Sequence, residues 1–258
     1  MDITEFTPDV FSLAGRNAIV TGGNTGLGRT FALALAKAGA GIIAVSVVDD
    51  DGATRELVEA AGVPYELVQA DITAAGVPRR VVDACVERLG SVDILVNSAG
   101  VAPLAPVLEF GRAQWDAALA VNLTAAFEMS FEAAQRMVPQ RSGKIVNVCS
   151  LFSFLGGERS PVYAASKHGL AGLTKAYSDE LARYGIQVNG IAPGYYATAL
   201  TAATRDDPEA SRRVLEHIPA GRWGEPYDLM GAVVFLASRA SDYVNGHILV
   251  VDGGYLVR

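Results

Sequence analysis

The sequence predicts an α/β protein, one domain built on a doubly wound, seven-stranded parallel sheet. Three observations carry that expectation. Short β-branched runs alternate with longer helical patterns along all 258 residues, as repeated βαβ units require. No linker-like stretch interrupts the alternation. Half of the residues are hydrophobic and only 19% are charged, which suits one large core better than two small ones.

The predicted strands are 17–21, 42–48, 65–70, 93–97, 144–149, 187–191 and 247–251. The clearest helix is 163–184, where Leu170, Leu173, Tyr177, Leu181 and Tyr184 recur at helical spacing before Gly185 closes it. A second long apolar pattern, 117–137, reads as a helix covering the sheet. Residues 196–222 have mixed charge, no strand pattern and Asp206-Asp207-Pro208 in their middle. They are expected to form a flap or small helical insertion over the sheet.

Several function classes are excluded at this level. No run approaches the roughly 18 uninterrupted apolar residues of a membrane span, and the first 14 residues lack the basic start and apolar stretch of a secretory signal. A cytoplasmic protein without membrane contact is therefore expected. A net charge of −7 opposes nucleic-acid binding, which draws on clustered Lys and Arg. Cys85 and Cys149 stand in apolar surroundings without a CxxC spacing and are expected to be buried, reduced thiols. His168, His217 and His247 are scattered, so no catalytic metal is expected.

The first strand runs into Thr21-Gly22-Gly23-Asn24-Thr25-Gly26-Leu27-Gly28, and a helix-forming run follows from Arg29. Spacing alone is weak, because 27 glycines produce about 0.3 chance matches in a chain of this length. Position makes it strong. Strand, glycine turn and helix in that order let the backbone approach a pyrophosphate, whose charge the N–H groups at the helix start favour. The loop therefore predicts a dinucleotide site of Rossmann type, with Gly22, Asn24, Thr25, Gly26, Leu27 and Gly28 in contact. In an open parallel sheet the ligand crosses the carboxyl ends of the strands. Those ends carry Asp71-Ile72, Asn97-Ser98-Ala99-Gly100, Ser150 and Pro193-Gly194.

Tyr163 and Lys167 are four apart at the start of the clearest helix and so share a face, while Ser150 ends the preceding strand. A phenol is a poor base near neutrality, and a nearby ammonium favours its phenolate. The three residues together suit proton exchange with an alcohol or ketone whose oxygen a serine hydroxyl holds. No nucleophilic intermediate is needed.

Thr21-Gly22 through Gly28, Asn97-Ser98-Ala99-Gly100, Asn122, Ser150, Tyr163 with Lys167, and Pro193-Gly194 together resemble the motif set of the short-chain dehydrogenases/reductases over nearly the whole chain. The resemblance implies an oxidoreductase acting on CH–OH groups, in which a hydride passes between a nicotinamide and a secondary alcohol or ketone. It implies that Tyr163 is the general acid/base and that Lys167 assists it and bonds the nicotinamide ribose. Ser150 then orients the substrate, and Asn122 supports a proton-relay water. Thr198 joins the cofactor contacts, and a homotetramer is implied, built through the helices near 117–137 and 163–184 and the carboxyl-terminal segment. One departure is visible, for Ser98 stands where the motif usually has a second asparagine.

Within that family, the segments 150–157, 191–198, 218–224 and 240–246 resemble 2-dehydro-3-deoxy-D-gluconate 5-dehydrogenases, also called 2-deoxy-D-gluconate 3-dehydrogenases. That implies a sugar acid oxidised at a secondary alcohol. Ser46 occupies the position at the end of the second strand where an acid usually reads the adenosine ribose, and Asp49, Asp50 and Asp51 follow it. No Lys or Arg lies between Ala38 and Arg55, so NAD is expected in preference to NADP. Arg159, four residues before Tyr163, is the expected partner of a substrate carboxylate, with Arg205 and Arg222 as alternatives. Against an acid, loop 101–106 carries no basic residue where those dehydrogenases have them. A neutral polyol, sugar or apolar ketone is therefore the rival substrate class, and a non-catalytic dinucleotide-binding scaffold the remote one.

Overall fold

A computed structural model describes residues 3–258. Its centre is one sheet of seven parallel strands in the order β3-β2-β1-β4-β5-β6-β7. The strands are β1 Asn17–Thr21, β2 Gly41–Ser46, β3 Tyr65–Gln69, β4 Ile94–Asn97, β5 Gly143–Val148, β6 Ile186–Pro193 and β7 Ile248–Val251. Strand order reverses between β1 and β4, which opens a crevice at their carboxyl ends. All seven predicted strands exist; the second ends at Ser46, leaving Val47 and Val48 exposed on the loop that follows.

Helices cover both faces because a parallel sheet must bury both. On one side lie α1 Gly26–Lys37 and, late in the chain, α9 Met230–Ala237, packed with Val20, Ala44, Val96 and Val146. On the other lie α3 Val77–Leu89 and α5 Ala125–Gln140, packed with Ile19, Ile43, Leu95 and Ile145. Short α2 Ala53–Glu59 joins β2 to β3. The predicted helix at 117–137 is in fact three pieces: α4 Arg112–Leu119, one π-helical turn Ala120–Thr124, and α5. Its inner face is core, as expected, with Met129, Ala133 and Met137 fully buried. Its outer face exposes Phe127 and Phe131, whose rings stack at 6.4 Å and whose neighbour Tyr177 meets Phe127 edge-on.

Helix α6 runs Pro161–Leu181, followed by a 3-10 turn, Ala182–Tyr184, and by Gly185 at φ 74°. The flap folds as α7 Ala202–Asp206 and α8 Pro208–His217. Asp207 separates them as the N-cap of α8, its carboxylate accepting from the N–H of Glu209 and Ala210. Both cysteines are buried and free. Among the described residues no helix is long and apolar enough to cross a membrane.

Candidate active site

A cavity of about 490 Å³ lies along the carboxyl ends of the strands. The glycine turn forms one end of it: Gly22, Thr25, Gly26, Leu27 and Gly28 all line the wall. Two glycines show why the turn is built this way. Gly22 has φ 65°, a left-handed conformation that favours glycine, and a Cβ there would also stand 3.3 Å from the Cα of Ala99. Gly28 has ordinary helical backbone, but a Cβ on it would lie 2.1 Å from the carbonyl oxygen of Gly22. The cradle therefore exists only while the start of α1 touches the end of β1, which suits a bound pyrophosphate.

Along the other strand ends the lining includes Ser46, Asp71, Ile72, Ala99 and Gly100. Thr21 fixes this floor, since its hydroxyl accepts the N–H groups of both Ser98 and Ala99 at 2.9 Å. The unusual Ser98 thus contributes through its backbone, which any residue supplies. The Thr73 hydroxyl and amide bond the Asp71 carboxylate and hold it below the usual carboxylate range.

Ser150, Tyr163 and Lys167 meet on the wall of the same cavity, together with Pro193, Gly194 and Thr198. Lys167 is 5% exposed, and its Nζ donates to the carbonyl of Val148 at 2.6 Å. The same Nζ lies 5.6 Å from the centroid of the Tyr163 ring. Phe152 braces that ring edge-on at 5.6 Å. Ser150 caps the turn Leu151–Ser153, its Oγ accepting from the N–H of Phe152, while the Ser153 hydroxyl donates to the carbonyl of Lys167. Strand β5 and helix α6 are therefore cross-tied on both sides of the three side chains.

Four predicted site residues are missing from the lining, three of them buried behind the wall. The Asn24 side chain is fully buried and donates to the carbonyl of Val48, tying the glycine turn to the end of β2. Asn97 Nδ2 donates to Asn147 Oδ1 at 2.8 Å and Ser130 Oγ at 3.0 Å. Asn122 sits in the π-helical turn and holds both the N–H and the carbonyl of Val101, with a further bond to Ser166. Asn122 spends both ends of its amide inside the protein, whereas Asn24 and Asn97 spend only their Nδ2 groups and keep a buried, unpartnered Oδ1.

Arg159 is the fourth, and it is exposed at φ 62°, with its carbonyl accepting the N–H of Ala105. Its place beside Tyr163 in sequence does not bring its side chain into the lining. Lys167 is the only cation that lines the cavity among the described residues, and Asp71 the only acid.

The sequence reading missed Cys149, Val121, Tyr196 and the run Ala199, Leu200 and Thr201, all of which line the cavity. Cys149 follows β5 directly, so strand-end position was the available signal. The flap residues carried none, since their placement depends on how α7 folds back. Burial pushes the Cys149 thiol up, against the pull of nearby Lys167.

A family model described as enoyl-(acyl carrier protein) reductase matches residues 22–256. An uncharacterized oxidoreductase of Escherichia coli K12, YgcW, is 64% identical over 99% of this chain and 98% of its own length. A 2-dehydro-3-deoxy-D-gluconate 5-dehydrogenase of Bacillus subtilis is 47% identical over 97% of this chain and 98% of its own. A crystal structure of a putative 2-deoxy-D-gluconate 3-dehydrogenase from Agrobacterium tumefaciens, with bound NADP, superposes with a TM-score of 0.89 at 44% identity. It covers 96% of this chain and 99% of that one. The bound NADP leaves the expected NAD preference unsupported by this relative. With the glycine cradle, the strand-end floor and the Ser150, Tyr163 and Lys167 wall in one cavity, the chain belongs to the short-chain dehydrogenase/reductase family, as an NAD(P)-dependent oxidoreductase.

Proposed function

We propose that this protein interconverts a secondary alcohol and a ketone on a small sugar acid of the 2-dehydro-3-deoxy-D-gluconate class. The observation that carries the chemistry is the joint presence of Ser150, Tyr163 and Lys167 on the wall of the cavity that the glycine turn closes. The substrate class rests on the similarity to the Bacillus subtilis dehydrogenase.

When bound, the nicotinamide accepts the hydride from the alcohol carbon, or returns it to the ketone. Ser150 Oγ holds the substrate oxygen by a hydrogen bond. Tyr163 takes the hydroxyl proton during oxidation and gives it back during reduction. Lys167 is fixed by the Val148 carbonyl with its Nζ beside the Tyr163 ring, from where it would also bond the nicotinamide ribose. Asn122 supports the proton path by holding the 101 backbone against α6.

NAD is proposed over NADP because the cations at the adenosine end are engaged. Arg29 Nε donates to the Asn24 carbonyl and to Thr54, and its guanidinium faces Asp51 at 3.9 Å. Arg55 holds Glu59 and the carbonyl of Tyr65. A 2′-phosphate beside Ser46 would meet Val47, Val48 and the acids that follow. The exposed Phe127 and Phe131 support a homotetramer through α5 and α6, for which light scattering should give four times the chain mass.

A neutral substrate is the second reading, favoured by the apolar 101–106 loop and by the lack, among the described residues, of any lining cation except Lys167. One assay separates the two: initial rates with sugar acids, polyols and hydroxysteroids, each with NAD and with NADP. Turnover of sugar acids with a higher kcat/KM for NAD is the expected result. Activity confined to uncharged alcohols would refute the substrate, and a ratio favouring NADP would refute the cofactor preference.

A further inference from the structure

Proton exchange requires the Tyr163 and Ser150 hydroxyls to meet one substrate oxygen, and a phenol free to turn about its side-chain bonds loses that aim. No polar tether holds Tyr163, because its hydroxyl has no hydrogen-bond partner among the described residues. Two directed contacts act on the ring instead: the Lys167 Nζ at 5.6 Å, and the Phe152 ring, edge-on at 5.6 Å and 84°. Phe152 also reaches the second hydroxyl. Its backbone N–H donates to Ser150 Oγ at 3.3 Å, while the Ser150 hydroxyl donates to no group among the described residues. A lone pair is thus taken from inside the protein and the hydroxyl hydrogen is left for the substrate oxygen.

Phe152 is itself seated on a glycine that has no conformational need to be one. The φ of Gly157 lies outside the left-handed region. A Cβ at 157 would nevertheless stand 2.7 Å from Cε1, 3.0 Å from Cζ and 3.1 Å from Cδ1 of Phe152, and these are the nearest atoms it would meet. The Phe152 ring therefore fills the space that a side chain at 157 would take. The adjacent Gly156 is the contrast, since a Cβ there would meet nothing within 4 Å. With a side chain at 157, the Phe152 ring would have to move by about 0.5 Å or more to regain ordinary contact, and Tyr163 packs against that ring.

We propose that Phe152, seated on Gly157, is the positioning residue that aims Tyr163 and Ser150 at one substrate oxygen. Its main chain orients the serine hydroxyl and its ring orients the phenol, so the two proton-handling groups are set by one residue. Phe152 acts through those side chains and takes no part in proton or hydride transfer. The inference rests on the alcohol and ketone chemistry given to Ser150 and Tyr163, and it holds for an acidic and for a neutral substrate alike.

The test is a cycle of Gly157→Ala, Phe152→Leu and the double variant, with Gly156→Ala as the control, assayed on D-gluconate, 2-dehydro-3-deoxy-D-gluconate and D-glucitol. NADH affinity is measured by fluorescence, and crystal structures of wild type and Gly157→Ala locate the Tyr163 ring whatever the substrate. Gly157→Ala should lower kcat by about ten- to a hundredfold, while KM and the NADH dissociation constant move less than about threefold. Its solvent deuterium isotope effect on kcat should rise, because proton exchange becomes the slower step. The Tyr163 ring should be displaced by about 0.5 Å or more. Phe152→Leu keeps the backbone N–H and should lower kcat by about tenfold, and adding Gly157→Ala to it should cost nothing further, since the clashing ring is gone. Gly156→Ala should match wild type. Additive losses in the double variant, or a Gly156→Ala loss as large as that of Gly157→Ala, would make the effect a property of the loop and overturn the proposal. A Tyr163 ring that stays in place, or a loss carried by NADH affinity, would overturn it too. Should Phe152→Leu fail to fold, Gly157→Ala and its crystal structure still decide. Wild-type turnover that survives Tyr163→Phe refutes the chemistry given to Tyr163; an enzyme that needs Tyr163 but is indifferent to Gly157→Ala and Phe152→Leu refutes this inference alone.

Discussion

Gly28→Ala tests whether the cofactor cradle depends on contact between the start of α1 and the end of β1. The added Cβ would sit 2.1 Å from the Gly22 carbonyl oxygen, 2.7 Å from its carbon and 3.2 Å from the Gly23 nitrogen. All three are backbone atoms and cannot swing away. Reaching an ordinary contact requires the two segments to part by about 1 Å or more. Overpacking of this kind costs about 1–3 kcal/mol of stability. Opening the turn should also forfeit at least one charge-assisted contact to a pyrophosphate, or about ten- to a hundredfold in affinity. Gly26→Ala is the comparison, because Gly26 has φ 49° and nothing within 4 Å of a Cβ. That variant carries only the left-handed penalty of about 1–2 kcal/mol and no clash. Urea unfolding and NADH fluorescence titration of both proteins measure the two effects. Gly28→Ala with wild-type stability and wild-type NADH affinity would refute the close-approach argument.

Tyr163→Phe should abolish turnover while leaving NADH affinity nearly intact, because the hydroxyl moves protons and the ring keeps its edge contact with Phe152; turnover within tenfold of wild type would remove Tyr163 from its role. Lys167→Met should damage both kcat and NADH affinity, since it loses the Val148 bond as well as its charge, and an unaltered dissociation constant would rule out the ribose contact. Alkaline stability gives an independent check on burial, for desolvation pushes the Cys85 thiol up to about 12. Above pH 9 the unfolded thiol ionises while the folded one stays protonated. Its contribution, fully present below about pH 9, is therefore lost as pH rises toward 12, at up to about 1.4 kcal/mol per pH unit. Urea melts between pH 9 and 10 should show a shallower decline in Cys85→Ala; parallel slopes would contradict the buried assignment.

The sheet was legible because strand periodicity and length are local properties. The β1 run matches its predicted limits, and the others differ by one or two residues at an end: β2 stops two residues short of the expected residue 48, whereas β6 starts one residue earlier and ends two residues later than expected. The glycine turn and the Tyr163 and Lys167 pair were legible for a related reason, since neighbours along a turn or a helix stay neighbours in space. Arg159 was misleading under the same logic. Adjacency to Tyr163 brings its backbone to the rim, but a left-handed residue just before α6 turns the chain there. Which way its side chain leaves the rim depends on that turn and on the 101–106 segment beside it, and no spacing encodes either. The break of the 117–137 pattern by a π-helical turn was hidden for the opposite reason, because its apolar residues continue through the turn that lets Asn122 reach Val101.

The buried amides explain how a helix and a sheet, each stable in many relative positions, hold one catalytic geometry. Apolar packing between α6 and β5 constrains distance well but rotation poorly, because apolar contacts are not directional. Polar contacts supply the direction. Asn97 on β4 donates to Asn147 on β5, and Asn147 donates to the hydroxyl of Thr174 on α6, which in turn bonds the Leu170 carbonyl. At the other end of α6, Ser166 is bonded by Asn122, and Lys167 reaches back to Val148. Rotating α6 by even one residue would leave several of these groups buried and unpaired, at about 1–3 kcal/mol each. The helix is thereby locked with Tyr163 and Lys167 toward the cavity. Asn97 and Ser98 have unequal duties for the same reason. The first carries the interstrand bond through its side chain, and the second serves the Thr21 hydroxyl through its backbone N–H. A serine can replace an asparagine at 98 without disturbing that lock, whereas a residue at 97 lacking an amide would break it at its first link.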